Sequence, residues 1–569
     1  MNKLTVTILA ALAVLFFVNP AVYAYSSNIV TEFVVEGNRM IDDKLILMNI
    51  ATKIGDRFNA EAVQNDIAKI GEMGYFSYVG AEAVPYKNGQ KIVFHVEENE
   101  IIGEISIKGC TTVEDRILKD AMESKIGTVF NSKLLSQDIR HLNEALAKQG
   151  FLFSKVVDAY VQDKGRKINV KIVEGFLTEI RIEGLKQTKE KVVRRELSAK
   201  PGEIYDNKKI VRDLQRIYNL GFFSEVRRDH LPADNPDDVI LVIHLVEQKT
   251  GRAGAGGGYS SLNGLVGFVT LSQDNLNGTG RRAYIRTEFG GVENYELGYF
   301  DPWFRDKPQS FGLDLYNTEY TRNLYLSGST INEYDERRRG GALTLGRRLT
   351  RDTDLSFRFR DEDVELTPTS STTPMPAGAV NGRSQTLSVI YDTDTRNNRF
   401  KPSKGVHDTF WVETTGGFLK GANQYTKYML ALRRYYPIGY SDKTVFAVQG
   451  VYGDTEVGSG FVPVYDMFSV GGSNSVRGYE EREFLGTRIF YANFELRHNL
   501  SDNFVLVAFY DTGSAWGDDY NKNPIDYDNK SGYGIGFRVH TPIGPIAVDY
   551  GKADDRDSGE TYINFGSSF

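Results

Sequence analysis

Few side chains in this 569-residue chain have the type and spacing to do chemistry. Cys110 is the one cysteine, so an internal disulfide and a multi-cysteine metal centre are both ruled out. Seven histidines, at 95, 141, 230, 244, 407, 498 and 540, form no HExxH or other tight metal spacing, and no GxSxG nucleophile turn occurs. The expectation is therefore no enzyme, no catalytic residue, no metal and no cofactor. What stands out instead is charge in unusual company. Residues 471–481 read GGSNSVRGYEE, which sets Val476, Arg477, Gly478 and Tyr479 in a stretch too rich in glycine and serine for a helix. Further on, FYDTGSAWG places Phe509, Asp511 and Gly513 at alternate positions, so in a strand they share one face. A guanidinium is a planar fork of five donors matched to a carboxylate, and a neighbouring glycine lets the backbone come close. Whether Arg477 has such a partner depends on the elements that carry it.

Those elements begin as a repeat. KIGDRF, KIGTVF and KPGEIY share a Lys-x-Gly-x-x-aromatic pattern, and their glycines, Gly55, Gly127 and Gly202, lie 72 and then 75 residues apart. Before each comes a short alternating segment ending in a turn glycine (Gly37, Gly109, Gly184). After each comes a helical stretch ending at a glycine-aromatic corner (Gly74, Gly150, Gly221), then an apolar strand running into glutamate: IVFHVEE, INVKIVEG and VILVIHLVEQ. The spacing predicts three α/β units of strand, helix, helix, strand, strand, over 25–101, 102–176 and 177–249. His95 and His244 fall on matching closing strands, which suggests a structural role.

From residue 250 the rhythm changes to short alternating segments broken by Gly, Asn, Asp and Ser. In SFRFRDE, Phe357 and Phe359 oppose Arg358 and Arg360; in FGLDLYN, Phe311, Leu313 and Leu315 oppose Gly312 and Asp314. One apolar and one charged face suit a half-solvated sandwich or a barrel with a polar lumen. Length favours the barrel: 250–569 accommodates about 16 strands of a transmembrane antiparallel β-barrel. The chain closes on TYINFGSSF, where Ile563, Phe565 and Phe569 alternate with residues that include Gly566, a terminal strand that can face lipid. The glycines of GRAGAGGG (Gly254, Gly256, Gly257, Gly258) are expected to precede the first barrel strand as a weak seam or a hinge. YFDPWF, 299–304, reads as a tight turn with its aromatic rings at a bilayer interface.

Residues 1–24 have a lysine, an apolar run and small residues before Tyr25, the layout of a cleaved signal peptide. A mean hydropathy of -0.36 does not exclude a membrane barrel, which shows lipid only every second residue. A net charge of -7 gives no pull toward nucleic acid.

Together the signal peptide, three such repeats and the aromatic-ended barrel resemble the BamA/TamA superfamily of outer-membrane assembly proteins with POTRA repeats. VRGY is similar to that family's V-R-G-[FY] in the long sixth extracellular loop, and FYDTG to its F-x-D-x-G on a neighbouring strand. YDTDTRNNRFKPSKG (391–405) and GIGFRVHTPIGPIAVDYG (534–551) resemble two further barrel motifs. The resemblance implies that Arg477 reaches Asp511 inside the lumen, with Glu495 of YANFELR as a second acceptor. It further implies an outer-membrane location in a Gram-negative bacterium, with the repeats in the periplasm. Insertion of client β-barrel proteins without ATP, through a lateral seam between the first and last barrel strands, is implied as well. Its partners would be the clients, outer-membrane lipid, periplasmic chaperones, and accessory lipoproteins or an inner-membrane-anchored protein. A TamA-like specialist and a two-partner-secretion transporter remain the alternatives.

Overall fold

The structure, a computed structural model, describes residues 28–565 apart from 261–263, 291–292, 327–328, 370–379, 420, 422, 440–441, 502, 520–521 and 542–543. The expected signal peptide, Gly566 and Phe569 lie outside the described residues.

Each repeat follows the expected order. The first comprises strand Val30–Glu36, helices Asp43–Leu47 and Ala60–Gly71, and strands Phe76–Tyr86 and Gly89–Glu98. The second comprises Glu104–Lys108, Asp115–Ala121, Ser132–Gln149, Lys155–Gln162 and Lys167–Val173; the third, Leu177–Glu183, Glu190–Arg194, Asn207–Asn219, Phe223–Pro232 and Val239–Glu247. In all three the last strand lies in the middle of the sheet. In the first two it runs parallel to the first strand and antiparallel to the second. Asn59 and Asn131 start the second helices by accepting from the backbone N–H groups two and three residues on.

Two hydrogen-bonded carboxylates recur in every repeat. The glutamate closing the last strand caps the turn after the first: Glu98 accepts from the backbone of Arg39, Met40 and Ile41, Glu174 from Thr111 and Thr112, Glu247 from Gln187 and Thr188. Burial works against the charge of Glu174 and Glu247, but hydrogen bonds, led by that of Thr112 on Glu174 and by the Gln187 N–H on Glu247, outweigh it and hold both below the usual range. An aspartate on the second helix, Asp66, Asp138 or Asp213, is fully buried and accepts from backbone N–H groups 14 and 15 residues earlier. The turn glycines Gly37, Gly109 and Gly184 have positive φ and sit so close to a carbonyl of the last strand that a Cβ has no room. His95 and His244 lie between carboxylates of the flanking strands, Glu36 and Glu82 in one case, Glu183 and Asp229 in the other.

The remainder forms one antiparallel sheet that runs in chain order from Gly251–Ser260 to Gly559–Phe565. Sixteen of its strands have seven residues or more; the seventeenth is the two-residue piece Pro524–Ile525. Side chains sort by face as the alternation predicts. Phe357 is 50 % exposed while Arg360, three residues on, is paired with carboxylates. Outward residues such as Ile285, Phe289, Ile535 and Ile563 are apolar and exposed, which suits lipid rather than water. The glycine-rich segment does not precede the first strand. It is that strand: Gly251–Ser260 pairs in continuous register with Gly264–Leu276. Five of its ten residues are glycine, so too few side chains alternate to mark it as a strand in the sequence.

In the DPWF turn, Trp303 differs from expectation. Trp303 lies between two guanidinium groups, Arg195 of the third repeat at 5.2 Å and Arg348 of a barrel strand at 5.7 Å. Nearby, Lys191 pairs with Asp306 at 2.6 Å, and Arg351 donates to the carbonyls of Arg195 and Leu197. The turn thus serves the junction of repeat and barrel. Burial, reinforced by the like charge of Arg348, pushes the Arg195 guanidinium down to about 10.

Candidate functional site: a loop folded into the barrel

Strands Thr444–Ser459 and Arg488–Asn499 are neighbours in the sheet, yet 28 residues separate them. This connection turns inward, and its motif is among the most buried parts of the molecule. Val476, Arg477 and Tyr479 are 0, 1 and 1 % exposed. Burying a guanidinium is tolerable only if each donor finds an acceptor. Arg477 Nε and Nη2 donate to the two oxygens of Asp511 at 2.7 and 2.9 Å, and its backbone N–H reaches the same carboxylate at 3.1 Å. Nη1 donates to Glu495 at 2.8 Å and to Asp549 at 3.3 Å. The guanidinium also stacks on Phe509, 3.5 Å from the ring centroid.

The strand pattern explains this convergence. Phe509 and Asp511 occupy one face of Phe504–Asp518, and Glu495 projects from Arg488–Asn499 beside it. Asn493 donates to Asp511 at 2.9 Å, while Arg497 and Arg538 pair with Glu495 and Asp549. Three arginines thus meet three carboxylates, and the cluster is neutral. Gly478 has φ +108° and lies against the Lys552–Ala553 backbone, where no Cβ fits. Gly513 faces the backbone of Phe490 and Tyr491 as closely. Tyr479 Oη donates to Asp555 at 2.8 Å.

A second anchor of the same loop carried no motif. The turn Val464–Asp466 brings Asp466 to 3.8 Å from Arg338 and 3.9 Å from Arg360; Tyr425 donates to its carboxylate, and Lys427 to its carbonyl at 2.7 Å. Arg338 is held in turn by Glu336 and Glu362, and Arg360 by Glu362 and Glu413. An apolar group that includes Leu324, Tyr334, Val464 and Tyr465 packs over it.

Of the other residues expected to matter, Ile563 is 63 % exposed on the outer face of the last strand and Phe565 ends that strand. Gly254, Gly256, Gly257 and Gly258 pair with Thr270, Phe268, Gly267 and Val266. Missed by the sequence reading were Asp549, Arg538, Asp466 and Tyr562. Asp549, Arg538 and Tyr562 had a local signal, since they stand on alternating strands with their polar groups opposite the apolar face, and Asp466 had none.

Three strand-helix-helix-strand-strand repeats, followed in the chain by a sixteen-strand antiparallel barrel with a loop bound inside, define an outer-membrane β-barrel protein with periplasmic POTRA domains. The chain belongs to the Omp85 superfamily: the Omp85 superfamily domain model matches residues 275–569. The POTRA model, described as a surface antigen variable number repeat, matches 29–99, 100–175 and 177–248. The chain is 25 % identical to chloroplastic outer envelope protein 80 of Arabidopsis thaliana, over 91 % of its length and 74 % of that protein. It is 21 % identical to outer membrane protein assembly factor BamA of Nitratidesulfovibrio vulgaris, covering 94 % and 91 %, and 24 % identical to BamA of Neisseria meningitidis, covering 90 % and 71 %. Among solved structures, CdiB from Escherichia coli shares the fold with a TM-score of 0.56 at 15 % identity, over 81 % of this chain and 89 % of that one.

Proposed function

We propose that this protein is an outer-membrane assembly factor that receives client β-barrel chains on its periplasmic POTRA domains. It inserts them through a seam between its first and last barrel strands, without ATP and without enzymatic chemistry. Strand edges cannot stay unpaired in lipid, so a nascent barrel needs an edge to pair with as it enters. An open seam supplies one by strand addition.

The observation that carries this reading is the composition of the sheet's first member. Gly251–Ser260 has five glycines in ten residues, and glycine weakens strand pairing and packing. Among the described residues, no ladder joins it to Gly559–Phe565. The names of the BamA relatives support the same reading. The open sheet edges of the repeats, such as Phe76–Tyr86, offer places for extended client segments. Chaperones, accessory lipoproteins or an inner-membrane-anchored protein would act at this periplasmic arm.

The test is a cysteine pair that locks Gly251–Ser260 to Gly559–Phe565 in protein reconstituted into vesicles. Insertion is expected to stop when the pair is oxidised and to resume on reduction; full insertion by the locked barrel overturns the seam. Depletion in cells, read as a census of outer-membrane proteins, separates the roles. Broad loss marks general assembly, loss of a few clients a TamA-like specialist, and loss of one secreted protein a transporter.

A further inference from the structure

We propose that Tyr562 is the positioning residue through which the inner loop holds the last barrel strand. The inference deepens the seam reading above and rests on it for its functional consequence.

The VRGY tip is tied to more than the strands that carry Asp511 and Glu495. Asp549, on Gly544–Ala553, accepts from Arg477. Gly532, on Lys530–Thr541, lies so close to the Arg477 carbonyl that a Cβ has no room. On the last strand, Gly559–Phe565, Tyr562 faces inward opposite Asp549 and is 9 % exposed. Its hydroxyl accepts from the Gly478 N–H at 2.9 Å and donates to the Tyr479 carbonyl at 2.6 Å. The tip therefore touches five consecutive strands, and the fifth is one side of the proposed seam.

The last strand has little else to hold its position. Its ladder to Gly544–Ala553 has seven register pairs, and among the described residues it has no neighbour on its other side. Its neighbouring outward side chain, Ile563, is exposed and makes no inner contact. One hydroxyl bridging a donor and an acceptor of the loop backbone thus sets the resting position of this strand against the tip. A displaced tip would release the strand, and a client strand that pulls the edge away must first break these two hydrogen bonds.

Tyr562→Phe keeps the ring and deletes the bridge. In the full chain in lipid bilayers, amide exchange over 559–565 is expected to rise about tenfold, since a buried hydrogen bond is worth roughly that factor. Exchange over 504–518 and the thermal midpoint of the barrel should not change. The maximal client insertion rate should rise while the client concentration for half-maximal rate stays constant, because Tyr562 touches no docking surface. A residue that merely supports the fold would lower the midpoint and leave that split unseen. Tyr550→Phe, on the outer face of the adjacent strand, is the control. Arg477→Lys, which withdraws the tip but retains Tyr562, should speed exchange over the same segment and keeps the test decisive if Tyr562→Phe folds poorly. Unchanged exchange over 559–565 in both variants overturns the tie, and faster exchange with an unchanged insertion rate overturns its coupling to insertion. Full insertion by the cysteine-locked barrel instead removes the seam reading, while the exchange result still decides the tie.

Discussion

The inner loop is held at two places with opposite polarity. At its tip the loop supplies a cation, Arg477, to carboxylates on the last third of the barrel; at the Val464–Asp466 turn it supplies an anion, Asp466, to cations on strands Ser329–Arg348, Thr353–Pro368 and Gln424–Pro437. The two sites also differ in redundancy. Among the described residues, Asp511 has Arg477 as its one cation, and without it keeps only the amide of Asn493. Around Asp466 every arginine has another acid: Arg338 keeps Glu336 and Glu362, Arg360 keeps Glu362 and Glu413. At the tip one guanidinium locks Asp511, with only neutral hydrogen bonds from Tyr479 and Tyr562 beside it, whereas the turn joins a network that survives the loss of one member. Loss of the one guanidinium at the tip therefore costs more than loss of the one carboxylate at the turn.

The largest expected effect follows directly. Arg477→Ala strands Asp511 in a buried site and should cost about 3–5 kcal/mol of barrel stability, read from urea unfolding in vesicles. Asp466→Asn keeps the shape, the Lys427 contact to the carbonyl and the alternative acids, so its cost should be about 2 kcal/mol. Equal losses at the two sites would break the distinction between lock and network. Phe509→Leu, which removes the stack beneath Arg477, should cost about 1 kcal/mol. Tyr465→Leu should cost less through its arginine, because Arg338 lies 5.5 Å from that ring against 3.5 Å for Arg477 on Phe509.

The tip was legible in the sequence and the turn was not, for a physical reason. VRGY and FYDTG are compact signals, with glycines required by close backbone approach and an acid two residues from an aromatic ring on one strand face. Asp466 meets Arg338, Arg360 and Lys427, whose strands are brought together by sheet order alone. On a polar lumen face one arginine looks like another. The repeats were legible because turn glycines with positive φ and closing glutamates are local demands of the backbone. The aspartates on their second helices recur at the same 72- and 75-residue spacing, but a polar residue on a helix gives no sign that it is buried. Glycine hid the first barrel strand, and Trp303 carried nothing to distinguish a lipid interface from two arginines of a domain junction.

The smallest effect sharpens the comparison from outside the barrel, where a buried acid is held by neutral donors alone. Glu174 accepts from the N–H groups and hydroxyls of Thr111 and Thr112, and these hold its pKa below the usual range against the pull of burial. A carboxyl whose folded pKa is depressed stabilises the fold fully above its unfolded value, near 4.3, and loses that contribution as pH falls through the lower folded value. Cys110, adjacent to Thr111 and partly buried, reports on this turn. With a disulfide reagent active in acid, Glu174→Gln should raise the Cys110 labelling rate about threefold at pH 7, and the ratio to wild type should fall toward one as pH drops below the folded pKa. A ratio independent of pH would mean that the charge of Glu174 contributes nothing to the turn. Neutral donors would then suffice for a neutral acid here, and a charged partner would be needed only at sites like Asp511, where the carboxylate is fully buried.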